Sequence, residues 1–166
     1  INNGGYISST NMELTTTSFT NSGIIEADEK ITANNTTLNN TGYIGSNQEL
    51  NLNGSNVSNQ GTLESSNINL KNLLGYNNLG GLINSNNVFL TSSKNLILDG
   101  ELHGESLVQI EGKNITNNGD TTSIGTIEIK GNNITNNTIL ASDTINIVGT
   151  GTVMNNSMIS GREGTI

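Results

Sequence analysis

The 166-residue chain contains no cysteine, no proline and no tryptophan, and aromatic residues make up only 3% of it. Without cysteine there is no disulfide framework, no thiolate metal site and no thiol nucleophile. Basic residues are scarce as well, 6 Lys and Arg against 14 Asp and Glu, for a formal net charge of −8. That balance excludes the basic stripe by which proteins hold nucleic acid. No apolar run approaches the roughly 20 residues of a spanning helix, so no membrane insertion is expected, and no signal-peptide pattern opens the chain. The first residue is Ile1 rather than Met, which predicts a piece excised from a longer protein. With 31% hydrophobic residues and Asn-rich tracts, composition alone describes a disordered tail. Periodicity describes something else.

A glycine column recurs about every 19 residues at Gly5, Gly23, Gly42, Gly61, Gly81, Gly100 and Gly119, continued by Thr138 and Ser157. Two residues after it stand Ile7, Ile25, Ile44, Leu63, Ile83, Leu102, Thr121, Leu140 and Ile159. Four residues before it stand Ile1, Phe19, Leu38, Val57, a break at Asn77, then Leu96, Ile115, Ile134 and Val153. Two residues before it an asparagine column runs Asn3, Asn21, Asn40, Asn59, Asn117, Asn136 and Asn155, with Leu79 and Leu98 as exceptions. Between these columns lies an apolar-x-apolar pair, as in Ile31/Ala33, Leu50/Leu52, Val88/Leu90 and Ile127/Ile129.

The apolar positions alternate with polar ones and are mostly β-branched or leucine, the pattern of strands and not of helices. Asn, Gly, Ser and Thr separate them and accept turn geometry. The predicted fold is all-β: a parallel β-helix of about nine coils, one solenoid segment over residues 1–166. Stacked at about 4.8 Å, nine coils make a rod roughly 43 Å long. A lone coil buries four or five aliphatic side chains, roughly 1.5–3 kcal/mol each, against an ordering cost of roughly 1–2 kcal/mol per residue. Only stacking closes that gap. By parity the asparagines point inward, where a stack of amides can satisfy itself as in cross-β ladders. The glycines two residues later are expected to allow a turn with positive φ.

The unit apolar-x-Asn-x-Gly-x-Ile-x-Ser is carried by Phe19-Thr20-Asn21-Ser22-Gly23-Ile24-Ile25, by Leu38–Ser46 and by Val57–Ser65. It resembles the filamentous-haemagglutinin repeat of two-partner-secretion exoproteins, the large adhesins and contact-dependent growth-inhibition effectors of Gram-negative bacteria. The resemblance covers essentially the whole chain. It implies a right-handed parallel β-helix, export through a cognate outer-membrane transporter, a location at the cell surface, a shaft-like role, and no catalytic residue or cofactor in the repeats. Two stretches depart from the pattern. Leu73, Leu74 and Leu79 crowd Lys71–Leu79, where a bulge is expected, and Thr121 occupies an apolar slot, where a bulge or an inward Ile124 is expected.

Candidate chemistry is thin. Asp99, Glu101, His103 and Glu105 alternate, so they project from one strand face; adjacent alternate side chains rarely converge on one ion, and a solvated face is the preferred reading. Glu26, Asp28 and Glu29 form an acidic cluster expected in a surface turn, with too few oxygens for Ca²⁺. A polysaccharide lyase or hydrolase would need converging carboxylates and a basic group. Lys30, Lys71, Lys94, Lys113, Lys130 and Arg162 are instead spread along the repeat, with only Lys94 and Lys113 in one column, and the chain is expected not to be an enzyme. An ice-binding solenoid would need one Thr-x-Thr ladder, which starts at Thr15-Thr16-Thr17 and Thr36-Thr37 and then fails. Sequons such as Asn35-Thr36-Thr37 and Asn114-Ile115-Thr116 are expected from composition alone. The leading expectation is a structural shaft of a secreted filament that projects a binding or toxic domain. The alternative is a module that itself binds a receptor or glycan, which an exposed apolar or aromatic patch would favour; Tyr6 and Tyr43 share a column that Ile24 and Thr62 interrupt. Both ends stop within the pattern, so end-to-end self-association is also expected.

Overall fold

A computed structural model describes residues 1–73 and 77–166, with the side chains of residues 35, 36, 55, 72, 77 and 78 also left aside. Among the described residues there is no helix, and every strand pairing is parallel within one sheet wound into a β-solenoid. The asparagine column gives the pitch: Asn3 pairs with Asn21, Asn21 with Asn40, Asn40 with Asn59, Asn59 with Leu79, and Leu98 with Asn117. Continued through Asn136 to Asn155, the column has nine levels joined by eight turns, or about 38 Å of rod at 4.8 Å per coil.

Each coil has three segments. They are separate strands in the coil Leu140–Ala141, Thr144–Gly149 and Val153–Asn155; in the third coil Tyr43–Ser46 is followed by Glu49–Asn59, which covers the second and third segments, and in the second coil all three run together as Ile24–Asn40. The predicted columns are the ones that pair. Ile25, Ile44 and Leu63 stack in register, as do Ile31, Leu50, Ile68 and Val88, and Ala33, Leu52, Leu70 and Leu90. These side chains form a single buried core, with nearly all at 2% exposure or less. Ile7, Met12, Leu14, Val153 and Ile159, in the outer coils, are only partly buried because they have a neighbour on one side.

The inward parity of the asparagines holds, and so does their mutual satisfaction. Asn3 Nδ2 donates to Asn21 Oδ1 at 2.8 Å, Asn21 to Asn40 at 2.8 Å and Asn40 to Asn59 at 2.7 Å. A second run joins Asn117 to Asn136 at 2.9 Å and Asn136 to Asn155 at 2.8 Å. The amides of Asn3, Asn21, Asn40, Asn59, Asn136 and Asn155 also tether their own turns, as Asn21 Nδ2 does on Gly23 O at 3.2 Å, and Asn21 Nδ2 reaches Tyr43 O of the next coil at 3.0 Å. So the ladder fixes both the coil-to-coil register and the path of the following turn.

Three expectations need correction. None of the column glycines adopts a left-handed φ; glycine is required by close approach instead. A Cβ on Gly23, Gly42, Gly61, Gly81, Gly100 or Gly119 would lie 1.9–2.1 Å from the carbonyl oxygen of the glycine one coil earlier. Thr121 does not bulge, and Ile124 does not turn inward. Thr121 is fully buried in register between Leu102 and Leu140, while Ile124 is 66% exposed. The cause lies one column away, where Leu98 precedes Asn117 and leaves Asn117 Oδ1 without an amide donor; the Thr121 hydroxyl donates to it at 3.1 Å. The Glu26, Asp28 and Glu29 cluster is not in a turn but inside the strand Ile24–Asn40. The crowded stretch does carry a register shift, between Leu70 and Leu73, and Leu73 and Leu79 are both buried; Leu74 lies outside the described residues.

Candidate functional site

The histidine-centred constellation does not assemble. Its alternation ends on both sides: Asp99 precedes the strand Leu102–Asn117, and a register shift separates Gly104 from Leu107. Asp99 instead accepts from Asn118 Nδ2 at 2.7 Å, starting an exposed amide ladder through Asn137 and Asn156. His103 Nδ1 pairs with the Thr122 hydroxyl at 2.9 Å. Among the described residues no group of three or more His, Asp or Glu is placed to hold a metal ion. The basic residues are likewise dispersed, with Lys30 bridged to Glu49 at 2.8 Å and Arg162 to Asp143 at 3.4 Å. The contact with Lys30 holds the Glu49 carboxyl below its ordinary range, but both partners are solvated, so the bridge contributes little to stability.

What the fold does bring together is a long groove of about 830 Å³ on one side of the rod. It follows a column of small residues, Ser9, Ala27, Ser46, Ser65, Ser85 and Gly104, stacked in register where each coil turns from its first segment to its second. Ser46 and Ser65 hydroxyls are 3.0 Å apart across neighbouring coils. Because this column is small, the surface is creased there, and outward side chains on either side of it line one hollow. That column was visible in the sequence as the recurrent serine two residues after the inward isoleucine, but a small buried residue reads as a turn until the register is known.

Two tyrosines stand on one wall. The Tyr6 hydroxyl donates to Glu26 Oε2 at 3.0 Å, and the Tyr43 hydroxyl donates to Glu64 Oε2 at 3.3 Å. Each tyrosine therefore reaches a carboxylate of a following coil, Glu26 in the coil after Tyr6 and Glu64 in the coil after Tyr43. Asn84 Nδ2 holds the other oxygen of Glu64 at 3.4 Å. Gly45 matters here: a Cβ on it would lie 2.3 Å from the Tyr43 hydroxyl, so the ring lies flat over the bare glycine, as aromatic side chains do when they cover a glycine in a sheet. Ile24 and Thr62 stand in the tyrosine column as expected; Ile24, 42% exposed, keeps it apolar between Tyr6 and Tyr43, whereas Thr62 separates Tyr43 from Leu82.

Burial, followed by the charges of Glu64 and Glu26, raises the Tyr43 phenol from 10.0 to about 12. A raised folded pKa means that the neutral phenol stabilises the fold fully below pH 10 and that this contribution is lost as pH climbs towards 12. In a spectrophotometric titration, the difference between the native chain and Tyr43→Phe is expected to show one phenol with its midpoint near 12. Gly45→Ala, by lifting the ring into solvent, is expected to bring that midpoint back towards 10.0; no movement on this substitution would mean that the glycine does not position the ring.

A second, shallower depression is floored by Gly81, Gly100 and Gly119 and edged by Asp99, Glu101 and Asp120. No protein-family model, curated protein sequence or solved structure matches the chain.

Proposed function

We propose that the chain is a structural shaft segment of a secreted bacterial surface filament, exported through an outer-membrane transporter, whose task is to carry a binding or toxic domain away from the cell. The observation that supports this most directly is the continuity of the columns: the same buried positions stack through all levels, so each added coil lengthens the rod by about 4.8 Å without changing its cross-section. Titratable groups are scattered or paired in a way that suits a solvated surface, and the repeat resemblance points the same way. Immunogold labelling with antibodies to this chain tests the reading. Label on intact producing cells, standing off from the outer membrane, is the expected result; label that appears only after permeabilisation overturns it.

A second reading, direct glycan binding, is favoured by one observation, the groove in which two tyrosines stand beside carboxylates and amides.

A further inference from the structure

The groove repeats chemically along the rod, since its walls are drawn from the same offsets in successive coils, from Tyr6 at one end to Glu105 at the other. Its chemistry recurs at about 4.8 Å per coil, a spacing close to, and slightly shorter than, the advance of one pyranose ring in an extended β-1,4-linked chain. Its Tyr–Glu unit occurs twice, two coils apart, as Tyr6 with Glu26 of the next coil and Tyr43 with Glu64 of the next; between them Ile24 takes the place of a tyrosine and Gly45 that of a glutamate. A β-1,4 linkage turns each sugar over relative to the last, so such a chain also presents the same face at every second ring. We propose that this groove binds a β-1,4-linked glycan bearing no acidic groups, laid along the stacking axis with its C–H faces on Tyr6 and Tyr43 and its hydroxyls on Glu26, Glu64 and Asn84.

The chemistry of the walls fits that occupant. An ionised carboxylate is an acceptor only and takes two adjacent hydroxyl donors, while an amide both donates and accepts. Tyrosine rings give rigid, amphipathic contact area with little rotamer entropy to lose. The Tyr43 ring is already seated over Gly45 and bonded to Glu64, so its ordering cost is met before a ligand arrives. Glu26, Asp28, Glu64 and Glu105 all border the groove, and among the described residues no Lys or Arg does, so acidic sugars are repelled. This inference rests on the glycan-binding reading and is independent of the shaft.

The test is calorimetric titration of the full chain with a hexamer of β-1,4-linked N-acetylglucosamine, alongside an oligomannuronate as the acidic β-1,4 chain. Saturable binding of the neutral hexamer and none of the mannuronate is expected. Glu64→Ala and Tyr6→Ala are each expected to weaken binding at least tenfold, and Glu111→Ala, an exposed carboxylate outside the groove, to change it less than twofold. Tyr6 is 62% exposed, so its removal leaves the fold intact, which circular dichroism verifies. The proposal is overturned by absence of saturable binding to the native chain, by equal binding of the mannuronate, or by folded Tyr6→Ala and Glu64→Ala variants that bind like the native chain. Any of these leaves the immunolabelling result untouched.

Discussion

Gly61→Ala is expected to lower the unfolding free energy by about 3 kcal/mol or more, whereas Gly5→Ala, in the same column, is expected to change it by less than about 0.5 kcal/mol. The difference follows from what lies under each residue. A Cβ on Gly61 would sit 2.0 Å from Gly42 O and 2.7–2.8 Å from two further backbone atoms, none of which can rotate away. The carbonyl of Gly42 is held there because it accepts from Thr62 N at 2.8 Å, so relief would open the ladder between two coils. A Cβ on Gly5 would meet only the Asn3 side chain, at 4.0 Å. Both substitutions carry the same change in backbone entropy of the unfolded chain, which therefore cancels between them. Denaturant unfolding of the two variants beside the native chain reads the difference; equal losses would mean that the column serves backbone conformation and not close approach.

That column shows how far the sequence could be read. A 19-residue recurrence and a period-two alternation sufficed for the coil, the strands, the inward parity of the asparagines and the register of every apolar column, because each of those follows from side-chain direction alone. The reason for glycine did not follow, since φ and coil-to-coil approach leave the same mark in a sequence. Nor did the strand path through Glu26–Glu29: charged residues beside small ones read as a turn, yet the cluster lies within Ile24–Asn40. The groove was the least legible feature. Its tyrosines and glutamates sit two positions apart in different coils, and only stacking makes Tyr43 a neighbour of Glu64 and seats its ring over Gly45. Thr121 was legible as an exception but not as an answer, because its partner Asn117 belongs to another column.

Breaking the buried ladder in its middle is expected to cost more than shortening it at its end. Asn40→Leu removes both the acceptor for Asn21 Nδ2 and the donor to Asn59 Oδ1, and with them the second bond to Gly42 O, which keeps Thr62 N, and the bond to Thr62 O. Each buried polar group left without a partner costs about 1–3 kcal/mol, so a loss of about 3 kcal/mol or more is expected. Asn59→Leu removes the last rung before Leu79, a position where no amide follows; it also loses the bonds to the carbonyls of Gly61 and Leu82, but it leaves one neighbouring amide, Asn40, short of an acceptor and no buried Oδ1 without a donor. Its loss should be visibly smaller; the reverse order would mean that the amides contribute as fillers of space and not as a bonded stack. The second run offers the sharper version. Thr121→Val keeps the side-chain shape and removes only the hydroxyl that serves Asn117 Oδ1, so about 1–3 kcal/mol is expected to go. In an Asn117→Leu background that oxygen no longer exists, and the same Thr121→Val change should become nearly neutral. A coupling of about 1 kcal/mol or more between the two substitutions is then the signature of a hydroxyl placed in an apolar column to close the open end of an amide ladder.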